Sequence, residues 1–439
     1  MQQYIAELVD LTDTSANQLD NMGVEDARER VRSGVPAAVR ALEGSFALVA
    51  RDGETVRIAR SLDRPIRYFL AKREAGPALI VAERIDAIHA WLAEHGFADQ
   101  FHPHYTRMVP AHYVVTIRLV GCPDPSPTYA RFLTPRRGAI PTDVEGIGRE
   151  YVSALGDEIA KWLRRIPDDA PVGVSFSGGI DSGSVFLVTY HAMRTLGLNL
   201  GRLKAFTLDG GGGPDLAQAR EFLDALDLGL FLEPIEAGPG AFDADEAIRV
   251  IEDYKSLDIE CATMGLALLR GIRARYPDWR YVLDGDGGDE NLKDYPIEEN
   301  PELTIRSVVN NPLLYQEGWG VESMKHSLAY SGGLSRSYVR TYAPARHLGF
   351  EGFSPYTRPA LVELAAGIPF DALTGYDIER LYALKGAIVA SGVRAVTGLE
   401  MPVFPKRRFQ HGAVTADAMR QALPWSEADY RKRFLAQYA

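Results

Sequence analysis

The sequence predicts an α/β protein in two parts: a β-rich first domain over residues 1–135 and a second, built on a parallel sheet, over 142–439. Two observations carry that expectation. Short apolar runs separated by turn residues fill the first part, and from about Thr142 strand-like runs alternate with helical ones. The length agrees, since 439 residues at about 100–200 per domain give two or three domains.

In the first domain Phe46–Ala50, Val56–Ala59, Ala78–Ala82 and His112–Val120 read as strands, with Asp52-Gly53 as the hairpin turn between the first two. A helix from Glu83 to His95 follows the third, with Ile85, Ile88, Trp91 and Leu92 at helical spacing. This predicts a mostly antiparallel domain with few helices. Two prolines, a glycine and two arginines in Leu133–Pro141 mark a linker. In the second domain the strand Pro171–Phe176 precedes a helix from Gly183 to Leu196. Leu203–Leu208 precedes a helix near Leu216–Leu226, and Leu230–Ile235 precedes helical segments from Asp243 to Ala274. Tyr281–Leu283 closes the series. Strand, crossover helix and strand at this spacing require parallel pairing. The remainder reads as largely helical, and Gly210–Gly213 as a flexible loop rather than a phosphate cradle.

Composition removes several function classes. With 48 basic against 59 acidic residues the formal charge is −11, and no basic face or tail stands out, which disfavours a nucleic-acid partner. No run approaches the roughly 18 apolar residues of a membrane span. Met1–Leu8 lacks a basic region followed by an apolar one, so no signal peptide is expected. Two cysteines, Cys122 and Cys261, without a CxxC, fit a reducing cytosol and a cytoplasmic location. His102 and His104 share a strand face, but no third ligand is spaced for zinc. Tyr315, Trp319, Tyr338 and Tyr342 read as core rather than a substrate platform.

The sharpest signal is Ser177-Gly178-Gly179-Ile180-Asp181-Ser182, between a buried strand and a helix. Two glycines let backbone amides approach an anion closely, and the helix N-terminus adds its positive dipole end. The Ser177 and Ser182 hydroxyls can donate to phosphate oxygens. Asp181 would repel a bare phosphate, so it argues for a metal ion between them. The competing reading is a plain strand–helix turn with an N-cap. No Gly-Lys-Ser/Thr follows, so this is not a Walker A loop.

The string resembles the pyrophosphate loop of the ATP pyrophosphatases, which cleave ATP between the α and β phosphates and transfer AMP to a substrate oxygen. The rest of the chain is similar to the asparagine synthetase family, close to its β-lactam synthetase and lasso-peptide cyclase relatives. Leu283-Asp284-Gly285-Asp286-Gly287-Gly288-Asp289-Glu290 resembles the family's Leu-Ser-Gly-(acid)-Gly-x-Asp-Glu. Glycine-spaced acids after a strand sit where α/β sheets place ligands. The resemblance implies nucleotide contacts at Asp284 and Gly285, a role for Asp286 in forming the acyl-adenylate, and Asp289 as a second magnesium carboxylate facing Asp181. Ala205–Leu208 resembles the strand after which adenine is held, putting Leu208 at the base, and Asp215 with Ala219-Arg220 looks like the helix that follows. Glu351 falls on the glutamate of Gly-Val-Glu-x-Arg-x-Pro-Phe-(Leu)-Asp. Phe353 replaces its arginine and Arg358 its aspartate, which removes aspartate as the obvious substrate. Lys406, in Lys406-Arg407-Arg408-Phe409-Gln410-His411-Gly412, matches Lys-x-x-Phe-x-x-Gly, whose lysine stabilises charge during adenylation or amide formation. Lys385 resembles the lysine of a Lys-x-x-Leu helix and is a weaker candidate. A structural ion pair at Glu351 and a basic surface loop at Lys406 remain open.

Leu42–Leu48, Ala59–Ile66, Ala82–Ile88 and Val109–Tyr113 resemble, in order, segments of the family's glutaminase domain. The resemblance therefore implies an Ntn-hydrolase-like α+β sandwich, followed by an ATP-pyrophosphatase (PP-loop, adenine nucleotide α-hydrolase-like) domain. A working glutaminase needs cysteine as its mature first residue. Here Gln2 follows Met1, so the expectation is a degenerate domain that does not hydrolyse glutamine. The β-lactam synthetases show the same loss, but pair a tyrosine at the place of Asp286 with a glutamate as base. Glu317 and Glu322 are open candidates for the base here.

The expected protein is an ATP- and Mg2+-dependent, AMP-forming ligase. It would couple a small-molecule or peptide carboxylate to an amine that does not come from glutamine, giving an amide or lactam of specialised metabolism such as an antibiotic. A homodimer is left open. The alternatives are a nucleotide-binding pseudoenzyme and an ammonia-dependent asparagine synthetase. The acidic charge and the remnant domain disfavour a PP-loop tRNA-modifying enzyme.

Overall fold

The computed structural model describes residues 7–118, 127–134, 136, 138–292, 338–375, 377–405 and 412–439. These form two units, one of 7–134 with Leu435–Ala439, the other from 136 through Phe434.

In the first unit two four-stranded sheets lie face to face. One has the order β1 (Glu7–Asp10), β7 (Ala78–Ala82), β6 (Arg67–Ala71), β8 (Arg107–Met108). The other has the order β10 (Thr128–Arg131), β9 (Tyr113–Arg118), β5 (Thr55–Arg60), β4 (Ala47–Asp52). A small ladder joins β2 (Gln18–Leu19) to β3 (Gly44–Ser45). Alternation along the strands builds the core. Val49, Val56, Ile58, Leu79, Val81, Val115 and Ile117 meet in one cluster that draws on both sheets. Phe69, Ile80 and Ala82 point the other way, onto Ile88 and Leu92 of a helix, Ile85–Glu94. The Asp52-Gly53 hairpin closes with Asp52 opposite Thr55.

The unit departs from the expected pattern in several places. A helix at Val24–Ser33 covers β4 and β5 although only Ala27 and Val31 of its ten residues are buried. β6 was not anticipated, and β1 pairs parallel to β7 rather than antiparallel.

The second unit is built on a five-stranded sheet of order β13 (Leu232–Glu236), β12 (Leu203–Asp209), β11 (Val172–Ser175), β14 (Tyr281–Leu283), β15 (Glu351–Phe353), with every pairing parallel. Its crossovers contain α1 (Ile180–Thr195), α2 (Asp215–Asp224), α3 (Ala244–Ile251) and α4 (Ser256–Arg275). The chain winds outward through β11, β12 and β13, then returns to add β14 on the other side of β11. The strand order therefore reverses between β11 and β14, the kind of crevice in which open α/β sheets bind ligands. Two long helices, Val144–Arg165 and Ile378–Thr397, pack along each other and against α1. Gly148 and Gly392 set their closeness, since a Cβ on Gly392 would stand 2.6 Å from the Gly148 carbonyl carbon. No described helix is long and apolar enough to cross a membrane.

Gly210–Gly213 is not a free loop. Gly210 N–H donates to the Ala413 carbonyl at 3.0 Å, Asp215 N–H donates to the Gly412 carbonyl at 2.9 Å, and Gly212 bridges Val414. A Cβ on Gly213 would collide with the Ala413 backbone, and Gly211 and Gly212 adopt positive φ, so close approach and backbone conformation together account for the run.

Candidate active site

Two loops leave the sheet on either side of the reversal point. The first follows β11. Gly178 has φ +70°, a left-handed conformation that favours glycine. A Cβ there would also press on the Ala219 backbone nitrogen at 3.0 Å. Gly179 N-caps α1 without any side-chain cap, which leaves first-turn amides for an anion. The loop is pinned from three sides. Ser182 Oγ accepts from Ser177 N–H at 3.2 Å and lies 3.2 Å from Ser177 Oγ. The Thr207 hydroxyl donates to the Phe176 carbonyl at 2.8 Å, and the Gln218 amide to the Ser177 carbonyl at 3.1 Å.

The second loop follows β14, and its glycines seat it on the first. A Cβ on Gly285 would come within 2.7 Å of the Asp181 carbonyl carbon and the Ser182 nitrogen. One on Gly288 would meet the Asp181 carboxyl carbon at 2.6 Å. The short helix Gly288–Leu292 is tethered through Asn291, whose amide donates to the Tyr356 carbonyl at 2.8 Å and the Tyr151 hydroxyl at 3.1 Å.

The outcome is a meeting of charges from three distant stretches. Asp181 and Asp289 converge on one cation, the ammonium of Lys385. Its Nζ donates to Asp181 Oδ2 at 2.8 Å and also binds Asp289 Oδ1. Lys385 is almost fully buried, and the charged head sits between the two acids. Two carboxylates aimed at one positive point are a hard-oxygen donor pair that suits Mg2+ with phosphate oxygens completing the shell. Among the described residues no cluster of three or more His, Cys, Asp or Glu gathers as a metal site, so phosphate or water oxygens would supply the rest.

Beside this pair, Asp286 accepts from Arg340 Nη1 at 3.0 Å. Burial opposes the charge on Arg340, but Cys261, Asp286 and Glu290 around it outweigh burial and keep it a firm cation. Asp284 Oδ1 accepts from Asp286 N–H at 3.0 Å. Burial, then the facing Asp286, holds the Asp284 carboxyl well above the usual carboxylate range. Burial and the Asp181 charge likewise push the Tyr356 phenol up, and it stays a neutral partner of Ser184 at 2.6 Å.

Of the residues expected from the sequence, Ser177, Gly178, Gly179, Asp181, Ser182, Asp284, Gly285, Asp286 and Asp289 lie on these two loops. Leu208 is near the C-terminal end of β12, one strand from β11. Glu351 is not with them. It opens β15 opposite Tyr281, at the N-terminal end of the parallel strands, and pairs with Arg165 at 3.3 Å and Arg280 at 3.7 Å. In this structure Glu351 takes part in an ion pair with two arginines, away from the two loops. Lys406, Glu317, Glu322, Cys122, Tyr315 and Trp319 lie outside the described residues. Tyr338 is buried and stacks on Tyr342, as expected of core. Arg340 was missed, because one basic residue in an aromatic run carries no spacing signal. Lys385 was underrated, because its partners are 96 and 204 positions away.

Residues 157–330 match the asparagine synthase family. The chain is 28% identical over 211 residues to a glutamine-hydrolysing asparagine synthetase 2 of Lotus japonicus, covering 47% of this chain and 33% of that protein. It is 29% identical over 231 residues to the root glutamine-hydrolysing asparagine synthetase of Pisum sativum (51% and 37%). It is 31% identical over 139 residues to an asparagine synthetase 2 of Arabidopsis thaliana (30% and 23%). The alignments thus span about a quarter to a third of those relatives' own length. Both loops fall inside 157–330, the stretch in which this chain is similar to the asparagine synthases.

Proposed function

We propose that the protein is an ATP-dependent, AMP-forming ligase that activates a substrate carboxylate and joins it to an amine from a source other than glutamine. The observation that carries this reading is the convergence of Asp181 and Asp289 on one cation, at the point where the strand order reverses. The Gly178–Ser182 amides and the Ser177 and Ser182 hydroxyls would bind the β and γ phosphates. Leu208 would border the adenine. Asp181 and Asp289 would hold Mg2+, which supplies charge neutralisation on the phosphates when bound. The substrate carboxylate oxygen attacks the α-phosphorus, the bond to the β-phosphate oxygen breaks, and pyrophosphate leaves. The amine then attacks the acyl carbon, AMP departs, and the amine proton goes to a base.

Asp286, which accepts a hydrogen bond from Arg340, would border the acyl-adenylate. Lys406, whose motif resembles the family's C-terminal lysine motif, would steady the developing charge. The amine source is supported by the cysteine count. Of the two cysteines, Cys261 is fully buried in α4 of the second unit, where it cannot act as a glutaminase thiol. An amide or lactam of specialised metabolism fits Phe353 and Arg358 in place of the family's arginine and aspartate.

Pyrophosphate release is the test, measured with a panel of amino acids, β-amino acids and peptides, with and without ammonia, glutamine and hydroxylamine. Release with at least one carboxylate, abolished by Asp181→Ala and not stimulated by glutamine, is the expected result. No release with any carboxylate would favour a nucleotide-binding pseudoenzyme, and stimulation by glutamine alone would refute the amine assignment.

A further inference from the structure

We infer that Lys385 is a resident counter-ion that makes metal loading conditional on the nucleotide. This rests on the reading of Asp181 and Asp289 as metal carboxylates. The Lys385 ammonium binds one oxygen of each acid, Asp181 Oδ2 at 2.8 Å and Asp289 Oδ1. A divalent ion held by the same two acids would need the space the ammonium fills, and two cations at contact distance repel. The metal and Lys385 therefore compete for one position.

The surroundings make the lysine the default occupant. The helix Ile378–Thr397 that carries it is packed on the helix Val144–Arg165 and on α1 itself, whose first turn holds Asp181. Gly386, the next residue, lies close to Ile180 at the start of α1, where a Cβ would stand 3.8 Å from its Cδ1. Lys385 is therefore held at the acids by backbone placement, and only its side chain is free to turn. Two partly buried carboxylates without it would repel each other, so the lysine stabilises the empty loops.

A free divalent ion must displace the ammonium from both carboxylates, which costs two charge-assisted hydrogen bonds. A nucleotide arriving with its metal removes that cost. The phosphates over the Gly178–Ser182 loop offer the displaced ammonium new oxygens, so the lysine moves from carboxylates to phosphate as the metal takes its place. Lys385 is on this account a positioning residue that orders the two ligands.

The test is Mn2+ binding to the full chain, read from the free-ion EPR signal, with and without the α,β-methylene analogue of ATP. We expect wild type to take up Mn2+ only with the nucleotide. Lys385→Met, close in length and neutral, should bind Mn2+ without nucleotide at least about tenfold more tightly than wild type. Its Tm should rise on Mn2+ addition where that of wild type does not. The Tm shift keeps the test decisive if the variant is less stable. Lys385→Arg, which keeps the charge, should exclude free Mn2+ as wild type does. Equal nucleotide-free affinities in wild type and Lys385→Met, with nucleotide-dependent uptake intact, overturn the counter-ion role and leave the metal assignment standing. No nucleotide-dependent uptake in wild type, or uptake unchanged by Asp181→Asn, overturns both.

Discussion

Replacing Gly285 by alanine adds one methyl group at the contact between the two loops, and the structure says what it meets. The new Cβ would stand 2.7 Å from the Asp181 carbonyl carbon and from the Ser182 nitrogen, against the 3.4 Å at which ordinary contact begins. Gly285 is not among the glycines with positive φ, so the penalty is steric. Both neighbours are backbone atoms in the first turn of α1 and cannot rotate away. The loops must part by about 0.7 Å, and overpacking of this kind costs about 1–3 kcal/mol. That corresponds to a fall in Tm of a few degrees for a unit of this size. Function should suffer more, since a displacement near 1 Å at a reacting centre costs about 100-fold in rate. Gly285→Ala should therefore lose about ten- to 100-fold in pyrophosphate release. Gly238→Ala, with nothing within 4 Å of its Cβ, is the control and should be neutral. Differential scanning calorimetry and a coupled pyrophosphate assay check both. Unaltered turnover and Tm in Gly285→Ala would refute the claim that the acidic loop is seated on the phosphate loop.

Other perturbations probe the charges around this contact. Arg340→Met strands Asp286 in a buried setting and should cost about 3–5 kcal/mol in urea unfolding; adding Asp286→Asn should recover most of it. Glu351→Gln breaks a partly exposed pair at the far end of the sheet, so it should cost about 1 kcal/mol or less and leave pyrophosphate release within about twofold. The raised pKa of Asp284 means the folded protein holds that proton more tightly than the unfolded chain. Its stabilising effect is complete below the ordinary carboxylate range, about pH 4, and is lost as pH rises through the raised value. Asp284→Asn keeps an oxygen for the Asp286 amide and removes that dependence. Its Tm should match wild type in acid and exceed it increasingly towards alkaline pH.

The sequence carried the parallel sheet well because Val172–Val174 of β11 and Tyr281–Leu283 of β14 are short apolar runs, the pattern of strands buried on both faces, and helical segments follow the strands at crossover spacing. It carried the two loops because glycines and acids at fixed short spacing have few other uses. It hid the helix Val24–Ser33, where two buried residues among ten give almost no periodic signal, and β1, a strand with no buried residue. The sequence does not place Glu351 in space, because a motif match records neighbours along the chain. The end of the strand on which a side chain falls depends on the pairing of Glu351 with Tyr281, seventy positions away. Lys385 shows the same limit, since its place between two acids is a product of helix packing that no local pattern encodes.

The placement of β14 also bears on how the chain is made. Val172 of β11 pairs with Leu203 on one side and with Tyr281 on the other. During synthesis the first neighbour emerges about 30 residues later and the second about 110. At about 5–20 residues per second, one edge of the nascent sheet stays uncovered for several seconds after the other is sealed. An apolar strand with open backbone groups is an invitation to pair with a second chain. Low yields on rapid overexpression, relieved by slower translation, would be the natural symptom of a central strand that waits for its second neighbour.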